Sequence, residues 1–142
     1  MNAEDFLMQV RYIDSEIRAK KERIETIRSA ATGLTCIRYD KDKVQSSMSG
    51  SKNENMILDY MDMEDELIQL IEYRKEAQKK VSDAISRCDM KDNWKWVLHL
   101  YYVNGFGFRR IANEKQRSIW TIYKWHKSGI ECFEDTFADI VS

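Results

Sequence analysis

The sequence predicts an all-α protein in which a long antiparallel helical hairpin, a coiled coil, precedes a C-terminal helix-turn-helix domain. The 142 residues include no proline and only five glycines, so few positions force a helix to end. Apolar residues recur at alternating steps of three and four through most of the first ninety residues, which is typical of a helical seam. Residues 96–130 instead indicate two short helices joined by a tight turn. We therefore expect two domains, 1–90 and 91–142.

Two apolar seams define the first domain. The first follows an expected helix cap at Asn2 and consists of Val10, Ile13, Ile17, Lys20, Ile24, Ile27, Ala31 and Leu34. The second consists of Tyr60, Met63, Leu67, Leu70, Arg74, Ala77, Val81, Ala84 and Cys88. Two seams of similar length that are separated by a linker fold most simply against each other. This pairing can close within one chain or between the chains of a homodimer.

Lys20 and Arg74 each interrupt a seam, and antiparallel pairing puts them in neighbouring layers. A buried cation costs free energy unless its side chain reaches solvent or meets an acid. Both routes are open to Lys20 and Arg74, and Glu16 and Glu72 are examples of acids within reach in the sequence.

The linker between the seams, residues 33–55, is long and polar, with KVQSSMSGSKNEN at its centre. Its serines, glycine and lysine suit contacts to phosphate or backbone groups. They equally suit a flexible hairpin tip in which Ser51 or Asn53 caps the second helix.

The second domain has the spacing of a helix-turn-helix. Gly105 is expected to close one helix, and Ser118 is expected to cap the next one. The residues expected to pack inside are Ile111, Ala112, Ile122 and Trp125. The last helix leaves outside Trp120, Thr121, Lys124 and Lys127, where a recognition helix needs side chains that reach base edges and phosphates.

Positive charge is concentrated in this second domain. Residues 1–90 carry a net charge of −3 and residues 91–129 carry +6, and the charged residues of the tail from 130 to 142 are all acids. A basic helix-turn-helix favours double-stranded DNA as the partner, although short basic stretches also occur as solvated faces. Residues 1–90 are then a helical arm, and we expect a fragment of residues 91–142 to bind DNA.

Signals for export, membrane insertion and metal binding are missing from the sequence. The amino end has acids where a secretory signal needs positive charge, and no segment approaches the roughly 20 apolar residues of a membrane span. Cys36, Cys88 and Cys132 lack metal-ligand spacing, so we expect reduced thiols. These features favour a soluble cytoplasmic protein with no membrane partner and no metal.

Enzyme motifs are also missing. Gly105 and Gly107 are followed by Arg110, where a dinucleotide fingerprint needs its third glycine. His99 is expected at the edge of a core and His126 on an exposed helix face, and neither has a catalytic partner nearby in sequence. We expect no enzymatic activity and no cofactor.

Several segments together resemble a known family: the opening MNAEDFL, the KVQSS loop, the turn VNGFGFRRIA and the stretch SIWTIYKWHKSGI. The chain is similar over nearly its whole length to small transcriptional regulators of phages and prophages of Gram-positive bacteria, related to the ArpU-like and RinA-like late-gene regulators. Their C-terminal part resembles sigma factor region 4. Gly107 stands where that family has a serine or threonine cap, and Gly129 stands where alanine is expected.

The resemblance implies a sequence-specific activator of phage late genes that binds promoter DNA and contacts host RNA polymerase. The residues themselves suggest how DNA would be held. Trp120, Thr121 and Lys124 would face the bases, and Ser118 would offer its hydroxyl and amides to a phosphate. Arg117 would lie beside that phosphate, and the flanking phosphates would be held by Arg109, Arg110, Lys115 and Lys127.

Two other functions fit the same pattern. A small subunit of a phage packaging terminase also joins a DNA-binding helical domain to oligomerising helices, although its DNA-binding domain usually comes first. Alternatively, the coiled coil captures a host factor and the helix-turn-helix is a remnant.

Overall fold

The computed structural model describes residues 2–30 and 54–140 with their side chains, and every regular element among them is helical, as predicted. The helices are α1 (Ala3–Leu7), α2 (Gln9–Arg87), α3 (Asp92–Leu98), α4 (Phe108–Lys115) and α5 (Ile119–Val141). A π-helical turn, His99–Val103, continues α3. In the described part of the chain, no helix has both the length and the apolar character that a membrane span requires.

The chain divides into two compact units. The larger unit contains Met1–Asp14 and Tyr73–Ser142, and the arm unit contains Ser15–Glu72. These units do not follow the boundary at residue 90 that the sequence suggested, because both the start of the chain and the end of α2 pack with the C-terminal helices. Whether residues 91–142 act as a DNA-binding domain remains a prediction.

The first of two hydrophobic clusters in the larger unit, the Phe133 cluster, joins the start of the chain to α5. Its buried residues are Ala3, Phe6, Leu7, Val10, Ala77, Val81, Ala84, Ile85, Cys88, Leu98, Tyr102 and Phe133. The ring of Phe6 stacks on that of Phe133 with 6.2 Å between centroids and meets Phe137 edge-on at 5.5 Å. The C-terminal half of α5 is therefore held by residues from the opposite end of the sequence.

The second cluster, the Ile122 cluster, forms the interior of the helix-turn-helix. Val97, Ile111, Ala112 and Ile122 are its buried residues, and Trp125 is half-buried against them. The inward positions predicted for α4 and α5 are confirmed. Amphipathic spacing was sufficient here because each helix buries one face of its surface in this cluster.

Side chains from α2 satisfy the end of the π-helical turn. Arg11 donates to the carbonyl oxygen of Tyr101 at 3.0 Å, and Gln78 donates to that of Val103 at 2.9 Å. The last carbonyls of a helix have no partner within it, so these contacts fix α2 to the turn. Gly105 follows with φ +77°, which confirms the predicted helix end, since this left-handed conformation favours glycine.

Acids meet both cations of the seams. Lys20 pairs with Glu66 in the arm unit, and Arg74 pairs with Asp14 in the larger unit. In both pairs the acid lies on the stretch of chain that carries the opposite seam.

The described residues of the arm unit are two segments of α2, residues 15–30 and residues 54–72, and two contacts join them. Lys20 contacts Glu66, and further along the chain Arg28 donates to the hydroxyl of Tyr60 at 2.7 Å. Ile17 and Ile24 of the first seam are buried. Ala31, Leu34, Cys36 and the predicted loop up to residue 53 lie outside the described residues, whereas Glu54 and Asn55 are exposed in α2.

Candidate nucleic-acid interface

A tight turn joins α4 to α5. Gln116 ends α4 in the left-handed conformation, with φ 55° and ψ 44°, and the amide of Arg117 donates to the carbonyl oxygen of Ala112 at 3.0 Å. The hydroxyl of Ser118 accepts a hydrogen bond from the amide of Thr121 at 3.2 Å. The predicted cap is therefore confirmed, and it fixes where α5 begins.

The outward face of α5 carries an aromatic residue and two lysines. Trp120 is 77% exposed, and Lys124 and Lys127 are exposed at the fourth and seventh positions after it, which places all three on one side of the helix. Thr121 departs from the prediction, because it is half-buried and its hydroxyl lies 2.9 Å from that of Ser118. Its hydroxyl is engaged in the cap instead of lying open.

Tyr123 belongs to this surface, although the sequence analysis did not select it. Its side chain is 42% exposed, and its ring lies 6.0 Å from that of Trp120 and 5.0 Å from that of Phe108. Tyr123 lies between buried Ile122 and exposed Lys124 in the sequence, and this position was the signal that could have placed its side chain at the edge of the surface.

Aromatic rings hold three of the flanking cations. Arg110 lies over the Phe106 ring at 3.6 Å, Lys115 over Trp96 at 4.2 Å, and Arg117 over Trp125 at 5.7 Å. A ring face attracts a cation without neutralising its formal charge. These side chains are therefore positioned while their charge remains available to an anion.

Carboxylates do little to neutralise this surface. Arg110 approaches Glu114 at 4.0 Å, where both side chains are more than half exposed and the interaction is weak. Within the described ranges, Arg109, Lys124 and Lys127 form no ion pair.

A cleft of about 350 Å³ opens beside the turn. It is lined by Asp92, Asn93, Trp96, Lys115, Arg117 and Trp125. The cleft thus contains two cations that lie above indole rings, Lys115 and Arg117, and one carboxylate, that of Asp92.

His126 supports the interface from below, and the expectation of an exposed side chain was wrong. Its Nε2 lies 2.8 Å from the hydroxyl of Tyr102, and its ring meets those of Tyr101 and Phe108. Burial lowers its pKa to about 4, so the ring is neutral at pH 7. The pKa of His99 is also lowered, by burial and by nearby Lys95.

The cysteines in the described residues lie together. The Sγ atoms of Cys88 and Cys132 are 4.0 Å apart without a disulfide, and burial raises the pKa of the Cys132 thiol. In the described part of the chain no group of three or more side chains could hold a metal ion.

All nine predicted DNA-contacting residues lie in the larger unit. Thr121 is half-buried, and the eight exposed residues are Arg109, Arg110, Lys115, Arg117, Ser118, Trp120, Lys124 and Lys127. Comparison of the chain with protein-family models, curated proteins and solved structures finds no match. The assignment of a role to this surface rests on its chemistry.

Proposed function

We propose that the protein is a sequence-specific transcriptional regulator that reads double-stranded DNA with the first half of α5. One observation carries the proposal: the outward face of this capped helix presents Trp120, Lys124 and Lys127 to solvent. An α-helix with such side chains fits the major groove, where lysine reads the acceptor atoms of guanine.

The surrounding residues suit the phosphates on either side. Arg109 and Arg110 project from α4, and Lys115 and Arg117 lie beside the turn, where indole rings position them. Contacts of this kind set the orientation of the protein on the duplex without reading its sequence.

The remaining parts of the proposal concern the arm and the biological setting. The pairs Lys20–Glu66 and Arg28–Tyr60 support an antiparallel helical hairpin in the first ninety residues. The resemblance to phage late-gene regulators supports a cytoplasmic activator that contacts host RNA polymerase. A homodimer would bring two copies of α5 to neighbouring half-sites.

The test begins with selection of bound sequences from random duplex DNA, followed by binding titrations at several salt concentrations. Lys124→Ala should weaken the selected site by about 1–3 kcal/mol and relax preference at one base pair. Arg109→Ala should weaken all sequences alike and reduce the salt slope by about 1. Lys79→Ala, which removes an exposed lysine from α2, is the matched control.

The triple substitution of Arg109, Arg110 and Lys124 by alanine should abolish detectable binding. If the folded triple variant binds duplex as the natural chain does, α5 is not the reading helix. If the natural chain selects no sequence, the proposed function is wrong.

A further inference from the structure

The second helical segment of the arm unit carries a row of exposed apolar side chains. This outer stripe consists of Ile57, Met61, Ile68 and Ile71, which are 57%, 55%, 59% and 37% exposed. The seam residues of the same segment, Tyr60, Met63, Leu67 and Leu70, are half-buried instead. The segment therefore has two apolar faces, of which only the seam is covered.

The spacing of the outer stripe is that of a second coiled-coil seam. With Glu64 included, its positions advance by alternating steps of four and three. Fourteen residues of helix separate Ile57 from Ile71, or about 21 Å. A partner helix of about four turns would cover this length.

Charge indicates which helix would bind. Residues 54–72 contain seven acids and no lysine or arginine. Two cations of the opposite segment are already engaged, because Lys20 pairs with Glu66, and Arg28 contacts Tyr60 and Glu25. A helix that covers the outer stripe must therefore bring positive charge of its own.

The same charges disfavour a second copy on this face. Packing one outer stripe against another would bring two all-acid segments together and would place the Glu64 carboxylates in or beside the new seam. The described residues 15–30 include several cations, yet they contain no exposed large apolar side chain that could serve as the partner stripe.

We propose that the outer stripe is the docking face for a basic amphipathic helix of another protein. The partner's apolar residues pack on Ile57, Met61, Ile68 and Ile71, and its lysines or arginines lie opposite Glu64 and the neighbouring acids. Apolar contact supplies the affinity, and the charges select the partner.

The test uses the full chain and a fluorescent synthetic helix of three heptads, with leucine at the two seam positions and lysine at the flanking ones. The lysine peptide should bind, and a peptide with glutamate at the flanking positions should not. The double variant Met61→Ser with Ile68→Ser should weaken binding of the lysine peptide at least tenfold. Leu58→Ser is the matched control, because Leu58 is also 59% exposed but lies about 100° further around the helix than Ile57.

A charge-reversal variant separates loss of the docking face from loss of folded structure. Glu64→Lys should weaken the lysine peptide and improve binding of the glutamate peptide, which loss of structure would not do. Equal binding of the lysine peptide to the natural chain and the double-serine variant would overturn the proposal, and so would no binding at all. Sedimentation tests for a second copy on this face. If the natural chain self-associates reversibly and the double-serine variant does not, the occupant is a second copy instead.

Discussion

The Phe133 cluster and the Ile122 cluster both pack against α5, but their surroundings differ. Rings of the Phe133 cluster pack on one another, as Phe6 does on Phe133. Rings around the Ile122 cluster carry cations on their outer faces, as Trp96 carries Lys115. The C-terminal half of α5 thus holds the larger unit together, and the N-terminal half supports a charged surface. Changes near Phe133 should alter stability, whereas changes on the outward face of α5 should alter binding alone.

The largest expected effect is loss of the fold when residues 1–90 are removed. The fragment 91–142 keeps Leu98, Tyr102 and Phe133 but loses the buried residues from α1 and α2 that cover them. Burial of apolar area is the dominant favourable contribution to folding, so this fragment should show no cooperative thermal unfolding by circular dichroism. This result would also exclude the DNA binding that the sequence suggested for it.

A second shortened chain, which serves as the control, keeps the buried residues that the fragment 91–142 lacks. Residues 1–14 joined to 73–142 by a short glycine-serine linker retain every buried residue of both clusters. That chain should unfold cooperatively. A folded 91–142 fragment would show that the Ile122 cluster suffices and that the two clusters are independent.

Within the full chain, Phe133→Ala should lower the free energy of unfolding by about 3–5 kcal/mol, because the fully buried ring leaves a cavity. Trp120→Ala removes a larger ring that is 77% exposed, so stability should change by no more than about 0.5 kcal/mol. Urea unfolding measures both changes. In DNA titrations of folded protein, Trp120→Ala should weaken binding more than Phe133→Ala does. Equal losses of stability in the two variants would contradict the proposed difference between the two halves of α5.

Local signals in the sequence predicted the local parts of this structure. The cap at Ser118, the turn at Gly105 and the inward position of Ile122 each follow from residues within one or two helical turns. The all-helical composition followed from the absence of proline and the periodicity of the seams.

Contacts between distant residues could not be predicted in the same way. Apolar spacing identifies Phe6 as buried but does not show that its partner is Phe133, more than 120 residues later. Gly129 is a second case: a Cβ atom there would lie 3.2 Å from Cγ of Leu98, so the residue permits close packing of α5 on α3. In the sequence analysis Gly129 was only a departure from the alanine of the family that the chain resembles.

A smaller effect should appear when pH is lowered. Burial lowers the pKa of His126 to about 4, from an ordinary value of 6.5 in the unfolded chain. Between these values the unfolded state binds more protons, so this residue should reduce stability as pH falls from about 6.5 to 4, with no further loss below. The fall in Tm over this range should be smaller for His126→Gln, which has no titrating group but keeps an acceptor for Tyr102.

The titratable groups other than residue 126 are the same in both proteins, so the comparison removes their shared contribution to the pH dependence of Tm. Identical Tm profiles for the two proteins would show that His126 does not stay neutral in the folded state.

The smallest expected effect is a gain in stability from a substitution at the start of α4. Gly107 occupies the cap position with φ −74° and ψ 164°, which any residue adopts, and a Cβ atom there would meet nothing within 4 Å. Gly107→Ser supplies the missing hydroxyl acceptor for an amide of the first turn and restricts the unfolded chain, so stability should rise by about 0.5–1 kcal/mol. Gly107→Ala is the control, since it restricts the unfolded chain equally but offers no acceptor. In thermal unfolding, the Tm of Gly107→Ser should be higher than that of Gly107→Ala. Equal Tm values would show that the serine cap contributes nothing to stability.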